Sequence, residues 1–262
     1  MQVLRRGSKG EEVERWQNFL RGQDFDEVEA DGDFGEITEA ATKAFQQRYG
    51  LVPDGVAGNR TFGKAMEVGL DLIEDADAEE TGPNWPPRPT LLRPLVGNQD
   101  RTKIFGSFQF VSAPRKGNPE AIKIIDGWDL QNIKKVEIPQ LIGVSDAPHD
   151  GNVYFHEKVS EQVQVLFKAW EDADLLDHVL TWGGSYVPRF VRGSRTTLSN
   201  HAFGSAFDIN AAWNACGVRP ALKGRRGCVR ELVSLANEHG FYWGGHYSHR
   251  PDGMHFELAE RV

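Results

Sequence analysis

One stretch of the sequence divides the chain in two. Residues 71–80, DLIEDADAEE, contain six acidic side chains, and the following TGPNWPPRP contains four prolines. Such a composition buries too little apolar surface to offset its conformational entropy, and it favours a solvated, partly extended tether. We therefore predict a small region at residues 1–70, a flexible linker at 71–94 and a main domain at 95–262, sizes typical of independent domains.

The first region contains an internal repeat. DGDFGEIT, from Asp31, and DGVAGNRT, from Asp54, share the pattern D-G-x-x-G-x-x-T, which predicts two glycine turns that each lead into a helix. With the amphipathic segment before Asp31, this makes a small all-α module of three helices. The first two helices are expected to turn these side chains inward: Val13, Trp16, Phe19, Leu20, Ile37, Ala41 and Phe45. A small packing or oligomerisation domain would show the same pattern.

The region after the linker mixes two periodicities. Helices are predicted within residues 156–170 and 227–240, and strands at HVLTWG, SAFDIN and GMHFEL. We expect an α+β domain in which helices flank a small antiparallel sheet. In the last strand, His255 and Glu257 share one face and alternate with apolar residues. That face would suit the floor of a site, although a half-exposed surface strand alternates in the same way.

Charge and hydropathy exclude several classes of protein. The net charge is −8 and no basic block appears, so the sequence lacks the positively charged patch expected of a nucleic-acid-binding protein. No apolar run approaches the ~20 residues of a membrane span, and the first residues lack the apolar core of a secretory signal. Cys216 and Cys228 are too few for a disulfide scaffold or a four-cysteine metal site, so they are free thiols or one optional bridge.

Histidine is concentrated in the second region, where all eight histidines follow residue 148. In SNHAFGSAFDIN, His201 and Asp208 are seven residues apart, and Gly204 lets the chain bend between them. A catalytic zinc needs three ligands from His, Asp, Glu or Cys and one open position. His255 is the third candidate ligand. The spacing of His201 and Asp208 alone leaves a metal site and ordinary structural roles equally open.

Two carboxylates near His255 are candidates for a general base. Asp252 stands in the turn formed by Pro251 and Gly253, which would aim it at a metal held by His255. Glu257 is the competing base, or a carboxylate that orients an imidazole.

Three segments together resemble a known family: TWGGSYVPRFVRGS, LSNHAFGSAFDIN and FYWGGHYSHRPDGMHFEL. They are similar to the zinc D-alanyl-D-alanine carboxypeptidases, a family that includes vancomycin-resistance dipeptidases and phage L-alanyl-D-glutamate endolysins. The family's acid three residues before a histidine is matched by Asp252 and His255. Its signature S-x-H-x-x-G-x-A-x-D is matched by Ser199, His201, Gly204, Ala206 and Asp208.

The resemblance implies a role for each matched position. His201, Asp208 and His255 would ligate one zinc ion, and Asp252 would activate water. An upstream arginine of the family binds substrate and stabilises the oxyanion, and VPRFVRGS offers Arg189, slightly favoured, and Arg192. Ser199 and Glu257 are further candidates, either for orienting a ligand or for the base.

The first region separately resembles the three-helix peptidoglycan-binding module of cell-wall hydrolases, on LRRGSKGEEVERWQNFL, DGDFGEITEAATKAFQQRYGL and DGVAGNRTFGKAM. The two resemblances imply a monomeric enzyme that binds bacterial peptidoglycan and hydrolyses a stem-peptide amide. Asp252 stands where carboxypeptidases more often have glutamate, which favours an L-alanyl-D-glutamate endopeptidase over a D-alanyl-D-alanine carboxypeptidase. Without a signal peptide, we expect a phage or prophage lysin released from the cytoplasm, or export by another route.

Two alternatives belong to other classes. The first is a non-catalytic, zinc-containing cell-wall-binding protein, which would have no chemical need for Asp252. The second is a cysteine hydrolase that uses Cys228 and a nearby histidine. It predicts inhibition by thiol alkylation and indifference to chelators, which is the reverse of the zinc hypothesis.

Overall fold

The computed structural model describes residues 3–68, 70, 85–248 and 250–261. Most of the predicted linker, residues 71–84, lies outside the described residues. The first region contains three helices, α1 (Glu11–Gly22), α2 (Glu36–Arg48) and α3 (Asn59–Glu67). No helix within the described ranges is long and apolar enough to cross a membrane.

The sequence repeat of the first region is also a structural repeat. In the first copy, the Gln17 side-chain amide donates to Asp31 Oδ1 at 2.8 Å and to Thr38 Oγ1 at 3.0 Å, and it accepts from the Gly32 amide at 2.9 Å. One side chain from the preceding helix thus closes the turn and joins it to the next helix. The second copy has the same network, formed by Gln46, Asp54, Gly55 and Thr61.

Aromatic side chains fill the centre of this module. Trp16 is fully buried and meets Phe45 and Phe62 edge-on, with ring centroids 5.6 and 5.5 Å away. The predicted inward position of Ile37 is wrong, because its side chain is 55% exposed. Thr38 is buried in its place, since its hydroxyl belongs to the Gln17 network.

The second region is α+β, as predicted. Its helices are α4 (Asn98–Phe105), α5 (Trp128–Asn132), α6 (Glu157–Asp172) and α7 (Val233–Glu238). Its strands are β1 (Phe110–Ser112), β2 (Ile122–Ile124), β3 (Ile133–Glu137), β4 (Asn152–His156), β5 (Trp182–Gly184), β6 (Ala206–Ile209), β7 (Phe241–Trp243) and β8 (His255–Leu258). Strands β1 and β2 pair, as do β3 and β4, and the remaining four form an antiparallel sheet in the order β5-β6-β8-β7.

A stack of aromatic rings orients the four-stranded sheet. Phe207 of β6 lies between Trp182 of β5 and Phe256 of β8, with centroids 5.8 and 5.4 Å away and nearly parallel planes. The apolar face of α6 covers this stack, and Trp170 packs on both phenylalanines. Because successive side chains of a strand point to opposite faces, burial of Phe207 directs Asp208 to the other face of the sheet.

The two regions contact each other. The end of α1 packs against the turn at residues 211–213, and a Cβ placed on Gly22 would lie 2.8 Å from the Ala211 carbonyl oxygen. Residues 85–94, which the sequence assigns to the linker, also contact the second region. Arg88 donates to the His246 carbonyl at 2.6 Å, and the Trp85 ring lies on the domain core. Because Gly22 has no side chain, the end of α1 can come this close to Ala211.

Candidate metal centre and active site

Three predicted ligands meet on the face of the sheet opposite the aromatic stack. Asp208 of β6 and His255 of β8 are register partners, and His201 lies in the short 3-10 turn before β6. His201 Nε2 is 3.2 Å from Asp208 Oδ1 and 3.1 Å from His255 Nδ1, and the last two atoms are 2.9 Å apart. All three side chains are largely buried.

The turn that carries His201 is held at both ends. Ser199 is its N-cap and accepts a hydrogen bond from the His201 amide, so the structure gives Ser199 a part in shaping the turn. Gly204 ends the turn at φ 62°, and a Cβ there would lie 2.8 Å from the His156 amide nitrogen, so glycine alone fits without displacement. His201 Nδ1 lies 2.7 Å from the Ser185 carbonyl, which makes Nδ1 the donor and leaves Nε2 to face the other ligands.

The donor set and its spacing fit a zinc-sized ion. Ligand atoms about 2.1 Å from a tetrahedral zinc lie roughly 3.4 Å from one another, close to the separations of 2.9 to 3.2 Å found here. Burial opposes charge on His255, yet its bonds with Asp208 and Glu257 raise its pKa to about 10. The surrounding carboxylates therefore favour a positive charge at this place, and the group of His201, Asp208 and His255 could hold a metal ion.

The two candidate bases occupy different positions around His255. Asp252 lies in the turn before β8, lines the same cleft as the three predicted ligands, and has a buried Oδ1 without a hydrogen-bond partner among the described residues. Burial raises the pKa of Asp252. Glu257 is almost completely buried, and its Oε2 lies 3.6 Å from His255 Nε2, the ring nitrogen that faces away from Asp208. Glu257 is thus placed to orient the imidazole. Both Glu257 oxygens, like Asp252 Oδ1, have no hydrogen-bond partner among the described residues.

Both candidate arginines line the cleft, with different partners. The Arg189 carbonyl accepts from the Ser199 amide at 3.0 Å, which attaches Arg189 to the turn that carries His201. Burial lowers the pKa of Arg189, an effect that nearby Arg192 strengthens and the charge of Asp208 opposes. The Arg192 guanidinium forms an ion pair of 2.8 Å with Glu120.

The cleft contains residues that sequence reasoning missed. It has a volume of about 880 Å³, and Arg21, Cys216 and Tyr247 are part of its wall. Cys216 bonds the Asp252 carboxylate, and Tyr247 interacts with Glu257. No sequence signal singles out these three residues, because each reaches the site only through the fold. Cys228 is not part of the cleft wall, and both cysteines are free thiols.

Two segments of the chain match families of known proteins. Residues 192–258 match the family model described as D-alanyl-D-alanine carboxypeptidase, and residues 9–64 match the model of a putative peptidoglycan binding domain. A stretch of 68 residues is 40% identical to the zinc D-Ala-D-Ala carboxypeptidase of Streptomyces albus G, and it covers 25% of this chain and 27% of the relative.

Another stretch, of 60 residues, is 42% identical to a spore cortex-lytic enzyme of Bacillus cereus, with 23% of each protein covered. The chain thus spans about a quarter of the length of the curated relatives that it matches. These matches confirm the two resemblances predicted from the sequence. The chain carries an N-terminal segment that matches the peptidoglycan-binding domain family, followed by a segment that matches the D-alanyl-D-alanine carboxypeptidase family.

Proposed function

We propose that this protein is a zinc-dependent peptidoglycan hydrolase that cleaves an amide bond of the cell-wall stem peptide. The observation that carries the proposal is the meeting of His201, Asp208 and His255, with ligand atoms no more than 3.2 Å apart, in one cleft with Asp252 and Arg189. This combination supplies a metal site, a base and a cation for a developing oxyanion, which amide hydrolysis requires.

His201 Nε2, Asp208 Oδ1 and His255 Nδ1 would hold a single zinc ion. When bound, zinc supplies Lewis acidity towards the scissile carbonyl and lowers the pKa of water at its open position to about 7. Ser185 and Glu257 keep the two imidazoles in orientation through the ring nitrogens that face away from the site.

The proton transfers belong to Asp252. Its free carboxylate oxygen accepts a proton from the attacking water and then delivers it to the leaving amine. A raised pKa suits both steps, because the group must take up the proton before it releases it. The Arg189 guanidinium stabilises the negative charge that develops on the carbonyl oxygen. No covalent intermediate with the protein is needed.

The bond we assign is L-alanyl-D-glutamate, inside the stem peptide. An aspartate at position 252 supports this choice, and a cleft of about 880 Å³ has room for peptide on both sides of the scissile bond. D-alanyl-D-alanine carboxypeptidase activity is the second candidate. The similarity to a protein named zinc D-Ala-D-Ala carboxypeptidase favours it.

The N-terminal module would keep the enzyme at the wall. Residues 9–64 match a putative peptidoglycan binding domain, and attachment to a polymeric substrate raises the local concentration of the enzyme. We therefore propose a monomer that acts on bacterial peptidoglycan, either as a phage or prophage lysin or as an exported enzyme. The buried Oδ1 of Asp252, which has no hydrogen-bond partner among the described residues, argues against a non-catalytic zinc protein, in which it would only lower stability.

Mass spectrometry of purified sacculi tests the proposal. The zinc-loaded protein and its Asp252→Ala variant are incubated with sacculi, and the released peptides are sequenced. New L-alanine carboxyl ends with D-glutamyl amino ends identify the endopeptidase, and free D-alanine identifies the carboxypeptidase. If the zinc-loaded wild type releases no new amino termini, the protein is a wall-binding protein without this activity.

A further inference from the structure

We propose that the N-terminal module forms part of the substrate cleft, and that Arg21 at the end of α1 binds a free carboxylate of the stem peptide. The inference rests on the proposed function for the identity of the ligand. It assigns the module a role in substrate binding at the reaction centre, in addition to attachment to the wall.

The module contacts the second region through α1. A Cβ on Gly22 would lie 2.8 Å from the Ala211 carbonyl oxygen, so a larger residue would force α1 away from this turn. A Cβ on Gly217 would likewise lie 3.4 Å from the Asn18 side-chain nitrogen. In the loop after α1, Glu27 forms an ion pair of 3.1 Å with Lys116. The contact therefore extends from α1 into the loop that follows it.

Arg21 lies in the cleft wall beside other arginines. Its side chain is half-buried in the cleft wall, yet it forms no hydrogen bond or ion pair with any other residue that the structure describes. Burial lowers the pKa of Arg21, and the neighbouring charges of Arg192 and Arg250 lower it further. Arg192 already has Glu120 as its counter-ion. The charge of Glu120 also acts on Arg21 and opposes this effect. A group of neighbouring arginines such as this favours the binding of an anion.

Arginine outnumbers acid in the cleft wall. The chain has a net charge of −8, yet the described residues of the wall include seven arginines and five acidic residues. Three of the acids, Asp208, Asp252 and Glu257, surround the predicted metal site. Another, Asp24, has a side chain that is 91% exposed and lies 3.8 Å from Arg48. The fifth acid, Asp26, belongs to the module. Arg21, Arg192 and Arg250 form a group of positive charges in this wall, and the acids around the predicted metal site form a negative group.

The ligand class follows from this charge. A guanidinium binds a carboxylate through two parallel hydrogen bonds, an arrangement that an amide cannot reproduce. Peptides that contain D-glutamate linked through its side chain have a free α-carboxylate, and the last residue of the stem has another. Arg21 would bind one of these groups while the scissile amide lies at the metal site.

Binding measurements with a matched pair of peptides test the role of Arg21. The ligands are L-alanyl-γ-D-glutamyl-L-lysyl-D-alanyl-D-alanine and its diamide, in which both the glutamate α-carboxyl and the C-terminal carboxyl are amides. The zinc-loaded Asp252→Ala protein is titrated with each, because it should bind the peptides without cutting them. In this background, we expect Arg21→Ala to weaken binding of the acid peptide roughly tenfold and to leave binding of the diamide unchanged. Arg21→Lys should restore part of the loss.

A second pair of variants tests the contact itself. Gly22→Leu should separate α1 from Ala211 and weaken binding of the acid peptide as much as Arg21→Ala does. Gly63→Leu is its control, because Gly63 also lies in a helix but has open space where its Cβ would be. We expect the control to bind both peptides like its parent, and circular dichroism verifies that each variant is folded.

The results separate this inference from the proposed function. Equal affinity of the Arg21→Ala and parent proteins for the acid peptide would overturn the inference, as would parent-like binding by folded Gly22→Leu. The digestion of sacculi by the wild type tests the hydrolase function independently, because it does not depend on Arg21. Since binding is measured without turnover, the role of Arg21 is decided even if no peptide bond is cut.

Discussion

Asp208 and His255 are direct neighbours across two antiparallel strands, and Oδ1 of Asp208 lies 2.9 Å from Nδ1 of His255. Facing residues in such a pair have Cβ atoms about 4.5–5.5 Å apart, so the register of β6 and β8 alone brings these side chains together. The turn capped by Ser199 then needs to position only His201. The site is thus built largely from backbone pairing, which makes it sensitive to changes in the strands and in that turn.

Removal of one predicted ligand should abolish tight zinc binding. We expect His201→Ala to weaken zinc affinity by more than roughly 100-fold, which is the upper range for loss of a group that merely supports a ligand. Competition with a chromogenic chelator measures the affinity. His149→Ala, at an exposed histidine, is the control and should bind zinc like the wild type. Similar affinity in both variants would show that His201 is not a ligand.

Replacement of Asp252 should remove the base and leave the metal site intact. We expect Asp252→Asn to lower kcat on sacculi by roughly 10²- to 10⁴-fold at unchanged zinc content. Asp177→Asn, at an exposed aspartate, is the matched control. If Asp252→Asn kept its kcat and Glu257→Gln lost it, the base would be Glu257.

The backbone at Gly204 should tolerate no side chain. Gly204→Ala combines a left-handed φ with a clash against the His156 amide, so we expect it to lower the free energy of unfolding by roughly 2 to 5 kcal/mol. Gly143→Ala has a similar positive φ but open space around the new methyl group, and it should cost about 1 kcal/mol. Urea unfolding compares the two variants. Equal losses would mean that the close packing at Gly204 contributes nothing.

His156 should make the stability of the protein depend on pH. It caps α6 by accepting a hydrogen bond from the Lys158 amide through Nδ1, and burial lowers its pKa to about 4. The stabilisation is complete above pH 6.5, and it is lost as the pH falls from 6.5 to about 4, because only the unfolded chain takes up the proton in that interval. The full effect is roughly 3 kcal/mol.

His156→Asn provides the measurement, since asparagine can still cap the helix but does not titrate. Urea unfolding of the wild type and the variant at several pH values between 4 and 7 should give a flatter profile for the variant. Parallel profiles would assign the pH dependence to other groups.

Thiol reagents should not inhibit the protein. Burial raises the pKa of Cys228 to about 12, and burial together with Asp252 raises the pKa of Cys216 still further above its ordinary value. Little reactive thiolate is therefore present at neutral pH. We expect iodoacetamide to leave the hydrolysis of sacculi unchanged and a zinc chelator to abolish it. Cys228→Ser should remain active, and its inactivity would support the cysteine hydrolase.

Local pattern was sufficient to predict the elements that build the site. Strands were predicted at SAFDIN and GMHFEL, and a helix within residues 156–170, and the structure has β6, β8 and α6 at these places. The pattern failed at Ile37, because the hydrogen-bond network of Gln17 places Thr38 inside. A hydrophobicity pattern cannot show that Gln17 needs the Thr38 hydroxyl as a hydrogen-bond acceptor.

Contacts between distant segments could not be predicted in this way. Arg21 and Asp252 are far apart in sequence, yet they line one cleft because Gly22 packs on Ala211. A glycine in a helix predicts weaker helix formation, and it does not indicate which surface will approach it. The choice between Arg189 and Arg192 also depends on the fold, since Glu120 neutralises Arg192 from another segment.

The strand order β5-β6-β8-β7 has a consequence for the time at which activity can arise during synthesis. Among the strands that the structure describes, β8 comes last in the sequence, but it lies inside the sheet, between β6 and β7. Until residues 255–258 have left the ribosome and inserted there, β6 and β7 have no common partner and the predicted zinc site lacks His255. The module, in contrast, contains its own aromatic core within residues 4–70 and can fold much earlier. A growing chain can therefore complete the aromatic core of the module first and the predicted zinc site last.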